Sequence, residues 1–260
     1  MKTTLKSLPV LICALFLSVF MANCQDDSYL HDGGTHNPYY DGTVWEYLNS
    51  RPDYFKTLVE VIQIAGMEDV FRDEEITFFA PTDWSVKRSV NYLSGYLYKY
   101  MGKDSIKDLR QIKPEVWKEY LSLYIVKDKY LLKDIPQLDT AAVAAYPGQA
   151  YYSYGGRPMN VGVVYAEANG VKYAGYRQIL YSYINDFTTQ DMQNAYIATC
   201  DIQPVNGVVH VIRFIDHDFG FIKSDFRTKA INVGITPLDQ INKKEEEDKP
   251  SIEEKDHENN

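Results

Sequence analysis

Tyrosine is the most unusual residue of this chain, and its densest cluster has the composition of a binding loop. The chain contains 22 tyrosines, and residues 151–157 read YYSYGGR, in which Tyr151, Tyr152, Tyr154 and Arg157 surround two glycines. A tyrosine ring combines a flat apolar face with a polar tip at little cost in side-chain entropy, which suits sugar stacking and protein interfaces alike. The cluster predicts an exposed binding loop, although tyrosines that simply fill a sheet face are an equally good interpretation.

The histidines and their acidic neighbours offer little catalytic chemistry. Asp216, His217 and Asp218 are adjacent, and neighbours on an extended segment point to opposite sides, so they should not converge on one metal ion. We interpret them as a solvated strand end. His210 lies in a strand-like segment and is expected to be a hydrogen-bonded core residue. The sequence also has no hydrolase, zinc-protease or phosphate-loop motif, so we predict no catalytic residue, no metal site, no cofactor and no enzymatic activity.

Cys24 is the residue with a clear covalent chemistry. Residues 1–23 combine two lysines with an apolar run at residues 8–22, which is too short for a spanning helix and is typical of a signal peptide. Residues 21–24 (MANC) resemble the lipobox of bacterial lipoproteins, so Cys24 is predicted to be acylated and anchored to a membrane. Because Asn23 stands where Gly, Ala or Ser is usual, an ordinary secretory peptide cut elsewhere stays an alternative.

The residues after Cys24 indicate a destination for the anchored protein. Residues 25–28 (QDDS) resemble the acidic export signal that sends some Gram-negative lipoproteins to the outer face of the cell. The expected location is therefore the outer membrane, with the protein lipid-anchored at the cell surface.

The remaining cysteine has no partner for a disulfide that could stabilise the fold. Cys13 leaves with the signal peptide and Cys24 is lipidated, so Cys200 is left alone and no internal disulfide can form. Stability must then come from a hydrophobic core, in which we expect Cys200 to be a buried and inert thiol.

Charge and composition divide the chain and exclude one class of partner. The formal net charge is −9, and no basic face is evident, which argues against nucleic acid. Residues 24–42, rich in Gly, Asp, Asn, Pro and Tyr, are predicted to be a tether. Residues 242–260 hold four lysines and eight acidic residues and are predicted to be a disordered acidic tail. Between them we expect one domain at residues 43–221 and a C-terminal extension at residues 222–241.

Helical periodicity dominates the first half of the expected domain. Asp53 is a candidate N-cap for a helix that ends at Gly66. Thr82 and Asp83 are both able to cap a second helix, and Pro114 fits the first turn of a third. The apolar stripe of the second helix consists of Val86, Val90, Leu93 and Leu97.

The second half of the domain has the pattern of strands. Asn169-Gly170 is the strongest hairpin signal of the chain, and Asn206-Gly207 is another turn pair. Helices followed by antiparallel hairpins predict an α+β domain. The predicted strands are residues 76–80, 161–168, 171–176, 179–184, 195–202 and 208–215.

Alternation assigns faces to two of these strands. In the last strand it places four residues on one face, namely Val208, His210, Ile212 and Phe214. For Tyr181 and Tyr183, which also alternate, we favour packing against one sheet face over ligand binding.

Two segments resemble the conserved boxes of fasciclin (FAS1) domains. Residues 77–83 (TFFAPTD) resemble the first box, and residues 206–212 (NGVVHVI) resemble the second, about 120 residues later. Residues 121–126 (LSLYIV) also resemble the leucine-rich segment between the boxes. The similarity covers residues 43–219.

The resemblance implies a fold and a class of function. It implies a wedge-shaped β-sandwich with helices packed alongside, and a role in adhesion or ligand binding at the cell surface without catalysis. Many family members have Tyr-His where this chain has Leu123-Tyr124, a pair implicated in integrin-type adhesion. Its replacement argues against adhesion through that segment.

These observations predict a non-catalytic surface lipoprotein that binds a protein or glycan partner. One version is an accessory subunit of an outer-membrane nutrient-uptake system, with an outer-membrane transporter as partner. The alternative is an adhesion protein that binds host or neighbouring-cell matrix, and a hydrolase on the same scaffold is a remote third possibility. The candidate binding residues are Tyr151, Tyr152, Tyr154 and Arg157.

Overall fold

The computed structural model describes residues 37–186 and 191–247, with side chains for all of these except residues 244–246. From Pro38 onward the described residues belong to one compact unit. The predicted signal peptide, Cys24 and the first part of the predicted tether lie outside the described residues. Within these ranges, no helix is long and apolar enough to cross a membrane.

Helices precede most of the strands in the described part of the chain, so the predicted α+β class is confirmed. The helices are α1 (Val44–Asn49), α2 (Pro52–Ile64), α3 (Glu68–Asp73), α4 (Asp83–Met101), α5 (Pro114–Leu121), α6 (Lys223–Val233) and α7 (Leu238–Glu247). The strands are β1 (Tyr39–Tyr40), β2 (Ile76–Ala80), β3 (Ile125–Lys127), β4 (Gln149–Tyr152), β5 (Pro158–Tyr165), β6 (Arg177–Asp186), β7 (Asp191–Pro204) and β8 (Gly207–Ile212). Short 3₁₀ turns lie at Leu109–Gln111, Ser122–Tyr124 and Leu132–Asp134.

Local signals set both ends of α2. Pro52 occupies the first helical position and Arg51 the N-cap position, because proline has no N–H to lose there and its φ is already helical. The predicted N-cap Asp53 is therefore wrong; it lies in the first turn, where a negative charge favours the helix dipole. Gly66 follows the helix with a φ of 62°, a left-handed conformation that favours glycine, so the predicted end is confirmed.

Helix α4 begins where the sequence predicts, and all four residues of its predicted apolar stripe are buried. Thr82 holds the N-cap position, but its side chain makes no capping bond. The carboxylate of Asp83 instead accepts a hydrogen bond from the backbone N–H of Leu58 at 3.0 Å, which ties α4 to α2. The predicted third helix is α5, with Pro114 at its first position and Trp117 fully buried.

The strands form one mixed sheet in the order β3-β2-β8-β7-β6-β5-β4, and β1 adds to β7. Strands β2 and β8 are parallel neighbours, with Thr77 opposite Val208, so the two FAS1-like boxes lie side by side. The two ends of the sheet also meet, because the N–H of Tyr154 donates to the carbonyl of Ile125 at 2.7 Å. The sheet therefore curves back on itself around the core.

Tyr181 is a core residue, as the packing interpretation predicts. Its ring stacks on Phe79 with centroids 3.8 Å apart, and its hydroxyl donates to the carbonyl of Leu123. Cys200 differs from the expectation of a buried thiol and is only half-buried, because the register of β7 against β8 shifts around it. Burial still raises the pKa of the Cys200 thiol, which keeps it protonated and weakly nucleophilic.

The turn of the predicted hairpin is confirmed, but the second of its two predicted strands is wrong. Ala168 and Val171 exchange backbone hydrogen bonds around Asn169-Gly170, both of which have a positive φ. The predicted strand at residues 171–176 does not form, because Tyr173 adopts a left-handed φ of 65° that a strand cannot accommodate. The partner of β5 is β6, which pairs with it from Arg177 onward.

The last predicted strand is shorter than expected. Val208, His210 and Ile212 are buried as the alternation predicts, but Phe214 is 50% exposed. The prediction for Phe214 is wrong because β8 ends at Ile212, two residues earlier.

The folded unit extends beyond residues 43–221 at both ends. Strand β1 pairs with β7, so the end of the predicted tether belongs to the sheet. Helix α6 buries Phe226 and Ala230 completely, so the predicted C-terminal extension contributes to the core. Helix α7 reaches Glu247, so the predicted disordered tail begins as a helix, and its remainder lies outside the described residues.

Candidate functional site

The predicted tyrosine loop is partly a strand. Tyr151 and Tyr152 end β4 and point to opposite sides of it, because successive side chains of a strand alternate. Tyr151 is 8% exposed and packs against Tyr130, with ring centroids 4.7 Å apart. Tyr152 is 73% exposed. The expectation of an exposed loop is therefore wrong for Tyr151, and a binding role for either residue stays a prediction.

Tyr154 and Arg157 are held by other parts of the fold. The hydroxyl of Tyr154 donates to Oε1 of Glu74 at 2.7 Å, and this hydrogen bond raises the pKa of Tyr154. The guanidinium of Arg157 lies 4.0 Å from the ring centroid of Tyr183, and its Nη2 donates to the carbonyl of Ile184 at 3.0 Å. The four predicted binding residues thus have four different surroundings and do not form one surface.

Arg157 lines a cleft of about 360 Å³ between α5, the turn before β5 and the start of α6. Tyr120, Tyr183 and Asp225 also line it, and Glu119 at its edge pairs with Lys229 at 2.6 Å. Burial raises the pKa of both tyrosines, and nearby carboxylates raise it further. Neither phenol can act as a base near neutral pH, so the cleft offers hydrogen bonds and charge rather than a nucleophile.

His210 is a structural histidine, which confirms the prediction. It is completely buried, its Nδ1 accepts from the N–H of Asp201 at 3.2 Å, and its Nε2 donates to the carbonyl of Tyr130 at 2.9 Å. Burial lowers its pKa. A neutral ring with both nitrogens occupied is unsuited to proton transfer.

His217 differs from the predicted solvated strand end. Its side chain is buried, and its Nε2 lies 2.8 Å from the hydroxyl of Tyr124. Burial lowers the pKa of His217 to about 4. The neighbouring carboxylates point elsewhere, Asp216 to Arg213 and Asp218 to Arg88. No group of three potential metal ligands exists among the described residues.

Several exposed aromatic side chains lie on α4. Trp84, Arg88, Tyr92, Tyr96 and Tyr100 follow one another at intervals of four residues, so each is a neighbour of the next on the helix surface. Because four residues make slightly more than one turn, the row winds around α4 by about 40° at each step. We call these five residues the α4 ridge. Trp84 is 65% exposed and Tyr100 is 66% exposed. The apolar stripe of α4 holds the helix to the core, and Arg88 and Tyr96 are half-buried between the exposed members of the ridge.

Cations from α6 lie on the ridge tyrosines. The guanidinium carbon of Arg227 is 4.3 Å from the ring centroid of Tyr96 and 5.5 Å from that of Tyr92. Nη1 of Arg227 also donates to the hydroxyl of Tyr92 at 3.2 Å. Nζ of Lys223 is 5.4 Å from the Tyr92 centroid. Cation–π contacts of this kind contribute about 0.5–1 kcal/mol each at exposed sites and fix the rings in place.

Each end of the ridge has its own neighbours. At one end Nζ of Lys99 lies 5.3 Å from the ring centroid of Tyr100. At the other, Nη1 of Arg88 donates to the carbonyls of Phe214 at 3.4 Å and of Ile215 at 2.7 Å. The side chains of Phe214 and Ile215 are exposed. The surface is therefore apolar beside Arg88 and cationic toward Tyr100.

The sequence analysis did not identify this ridge, although the spacing of its aromatic residues can be seen within one segment of the chain. The spacing W-x-x-x-R-x-x-x-Y-x-x-x-Y-x-x-x-Y is visible from Trp84 to Tyr100 and predicts a row once α4 is recognised as a helix. The cationic part of the signal is not local, because Lys223 and Arg227 come from a helix that sequence reasoning assigned to an extension outside the domain.

Comparison with known proteins decides the family. Residues 53–215 match the family model of the fasciclin domain. The chain belongs to the fasciclin family. It is similar to the FAS1 domain pair from the insect cell adhesion molecule Fasciclin I, with 14% sequence identity, a TM-score of 0.43, and coverage of 68% of this chain and 50% of that one. The chain thus spans half the length of that domain pair. No curated protein matches it.

Membership of the fasciclin family confirms the resemblance and the α+β FAS1 fold expected from the two boxes. In this FAS1 domain the boxes contribute the parallel pair β2–β8 of the sheet. FAS1 domains are generally non-catalytic adhesion domains, and the buried, hydrogen-bonded histidines of this chain accord with that class.

Proposed function

We propose that this FAS1 protein is a non-catalytic, lipid-anchored cell-surface protein that binds a protein or glycan partner through the α4 ridge. The observation that carries the proposal is the exposure of Trp84 and Tyr100 in one row with three further large side chains. Large aromatic side chains that follow one another on a helix surface, three of them exposed, are typical of an interaction site rather than of scattered surface residues.

The ionisable groups support binding over catalysis. His210 and His217 are buried and neutral, with pKa values lowered by burial. Burial raises the pKa values of Tyr120 and Tyr183 in the Arg157 cleft. A hydrolytic site needs a base near neutral pH beside a nucleophile or an activated water, and these groups do not provide one.

The anchor in this proposal is the acyl chain on Cys24. Its support is the sequence alone, namely the MANC segment at residues 21–24 and the acidic QDDS segment that follows. The anchor would place the domain on the outer membrane, where an accessory role beside a nutrient transporter and an adhesive role are both open to it.

The segment at Leu123-Tyr124 favours the accessory version. Leu123 is 7% exposed and Tyr124 is completely buried, so this segment has no surface to offer an integrin-type receptor. Family membership supports the adhesive version, because FAS1 domains are generally adhesion domains. In both versions the α4 ridge is the contact surface.

The proposal is tested by capture of the partner with the tagged full chain from detergent-solubilised outer membranes. We expect the parent chain to retain a partner, and Trp84→Ala and Tyr100→Ala to lose most of it. The matched control is Tyr152→Ala, because Tyr152 is equally exposed but lies on β4. Equal capture by the parent and both ridge variants would reject the ridge as the contact surface, and loss in Tyr152→Ala alone would return the site to the predicted tyrosine cluster.

A further inference from the structure

We propose that the ligand of the α4 ridge is an anionic polysaccharide chain, whose acidic groups pair with Arg227 and Lys223 while its sugar rings stack on the ridge aromatics. The inference rests on the proposed function, because it names the chemical class of the partner at the same surface. Four features of the described residues carry it: the shape of the ridge, the uncompensated charge of Arg227, the crowding of two cations at one ring, and the way charge is interleaved with aromatics.

The shape of the ridge suits an extended chain. Sixteen residues separate Trp84 from Tyr100, so the row extends over about 24 Å at 1.5 Å per residue. A row of rings along a convex helix surface can contact successive units of a linear polymer. It offers no enclosed pocket for a small molecule.

Arg227 is a cation held in place without a countercharge. Its Nη1 donates to the Tyr92 hydroxyl and its Nη2 to Oγ1 of Thr228, each at 3.2 Å, and its plane rests on Tyr96. Within the described part of the chain it makes no ion pair. Lysine would not reproduce this arrangement, because the planar guanidinium is what stacks on a ring and presents two further N–H groups to an oxyanion.

Two cations meet at Tyr92. The guanidinium of Arg227 and Nζ of Lys223 lie 5.5 Å and 5.4 Å from its ring centroid. Asp218 offsets Lys223 at 3.2 Å, but it also pairs with Arg88 at 2.9 Å. The Asp218 carboxylate therefore neutralises parts of two positive charges, those of Arg88 and Lys223. The charge of Arg227 is not neutralised by it. An acidic group bound between Arg227 and Lys223 would relieve the repulsion and gain two charge-assisted hydrogen bonds.

The mixture of charge and aromatics favours a polysaccharide over a folded protein. The central part of a protein–protein interface is depleted of charged residues, whereas here cations lie beside three of the five ridge residues, Tyr92, Tyr96 and Tyr100. A sugar ring presents a C–H face to an aromatic ring and hydroxyls at its edge to polar tips such as the tyrosine hydroxyl. Acidic substituents on the sugar then match the interleaved cations.

The rest of the chain makes this patch selective. The formal net charge of the whole chain is −9, so an anionic polymer is repelled by the protein as a whole and attracted where Lys223 and Arg227 lie on the ridge tyrosines. Binding should then weaken as salt is added, because exposed charges are screened within about 10 Å at 0.1 M salt.

The test is a titration of the full chain with defined polymers. The probes are polygalacturonate, its carboxyl-reduced neutral form, dextran sulfate, neutral dextran and poly-glutamate. We expect polygalacturonate to bind, the reduced form to bind at least tenfold more weakly, and affinity to fall with salt. Tight binding of dextran sulfate but not of dextran would identify sulfate as an alternative source of the same anionic chemistry.

The decisive variant is Arg227→Gln, which keeps most of the side-chain volume and removes the charge. We expect at least a tenfold loss of affinity for the anionic polymers and an unchanged circular dichroism spectrum. The matched control is Arg177→Gln, because Arg177 stacks on Tyr165 at 4.8 Å on a different part of the surface; it should bind as the parent does.

Three results would overturn the inference. These are equal binding by Arg227→Gln and the parent, equal binding of charged and neutral polymers, and a preference for poly-glutamate over every polysaccharide. If partner capture still depends on Trp84 and Tyr100 while any of these is observed, the proposed function stands and only the ligand class is wrong. If capture is also insensitive to these residues, the proposed function fails with it.

Discussion

The hydroxyl of Tyr124 lies 2.8 Å from Nε2 of His217, and both side chains are buried. The same hydroxyl accepts a hydrogen bond from the N–H of Gly220 at 2.7 Å. In the tautomer of His217 that carries its proton on Nδ1, the Tyr124 hydroxyl donates to Nε2. This contact joins the turn after α5 to the segment that leads into α6, and it fixes the helix that supplies the cations of the α4 ridge.

Tyr124→Phe is expected to destabilise the fold. The substitution removes the acceptor of a buried N–H and the donor to a buried imidazole, and each group left unsatisfied costs about 1–3 kcal/mol. Urea unfolding at neutral pH should show a loss of about 2–4 kcal/mol in the free energy of unfolding. The control is Tyr98→Phe, because Tyr98 is exposed on α4. A loss no larger than in the control would contradict the buried contact.

Stability is expected to fall as the pH drops from about 6.5 to about 4. In the folded chain the pKa of His217 is held at about 4 by burial, whereas an unfolded histidine titrates near 6.5. Below pH 6.5 the unfolded chain binds a proton that the folded chain does not, so protonation favours unfolding, by up to about 3 kcal/mol at pH 4. The lowered pKa of His210 acts in the same direction.

The pH prediction is checked by urea unfolding of the parent and of His217→Gln at pH 7 and pH 5. The variant is less stable at pH 7 because its buried site is altered, but it should lose less stability between the two pH values. An identical slope in both proteins would assign the pH dependence to other groups.

Asn206 in the second box is expected to matter more than its position in a turn suggests. Its Oδ1 accepts from the N–H of Val44 at 2.8 Å, and its Nδ2 donates to the carbonyls of Phe71 at 3.1 Å and Glu74 at 3.0 Å. Asn206→Ala removes all three bonds and should cost about 2–4 kcal/mol in the free energy of unfolding.

Asn185→Ala is the matched control for Asn206, because the Asn185 side chain donates an exposed hydrogen bond to Asp191 within the described residues. Thermal or urea unfolding compares the two. Similar effects of both substitutions would show that the second box is not a junction between the sheet and the first helices.

Two glycines are expected to respond in opposite directions to alanine. A Cβ on Gly207 would lie 2.5 Å from the carbonyl oxygen of Ile76, so Gly207→Ala should disturb the β2–β8 pairing and cost about 1–3 kcal/mol. A Cβ on Gly95, inside α4, would meet nothing within 4 Å, so Gly95→Ala should stabilise by about 0.5–1 kcal/mol. Unfolding transitions shifted in the same direction would contradict the assignment of one or both positions.

The elements that the sequence predicts well are those set by local chemistry. Pro114 starts a helix, Gly66 follows one with positive φ, and Asn169-Gly170 forms the tight turn, because each depends on backbone preferences of the residues themselves. The box residues 77–83 also carry their own stop and start signals. These features needed no knowledge of the rest of the chain.

The features that the sequence could not give depend on distant partners. His217 is buried because Tyr124, far earlier in the chain, provides its hydrogen bond. Tyr151 is buried and Tyr152 exposed because β4 pairs with β5 in one register, which composition does not specify. Arg227 reaches the ridge tyrosines from α6, more than 120 residues after α4 in the chain.

Trp84 is expected to contribute to binding without contributing to stability. Trp84 is exposed, so Trp84→Ala should change the free energy of unfolding by no more than about 0.5 kcal/mol. The most direct test of the central claim is the affinity of the full chain for polygalacturonate, measured in parallel for the parent, Trp84→Ala, Arg227→Gln and the control Arg177→Gln. The ridge account predicts at least a tenfold loss in the first two variants, with the control unchanged. Equal affinity in all four proteins would contradict it.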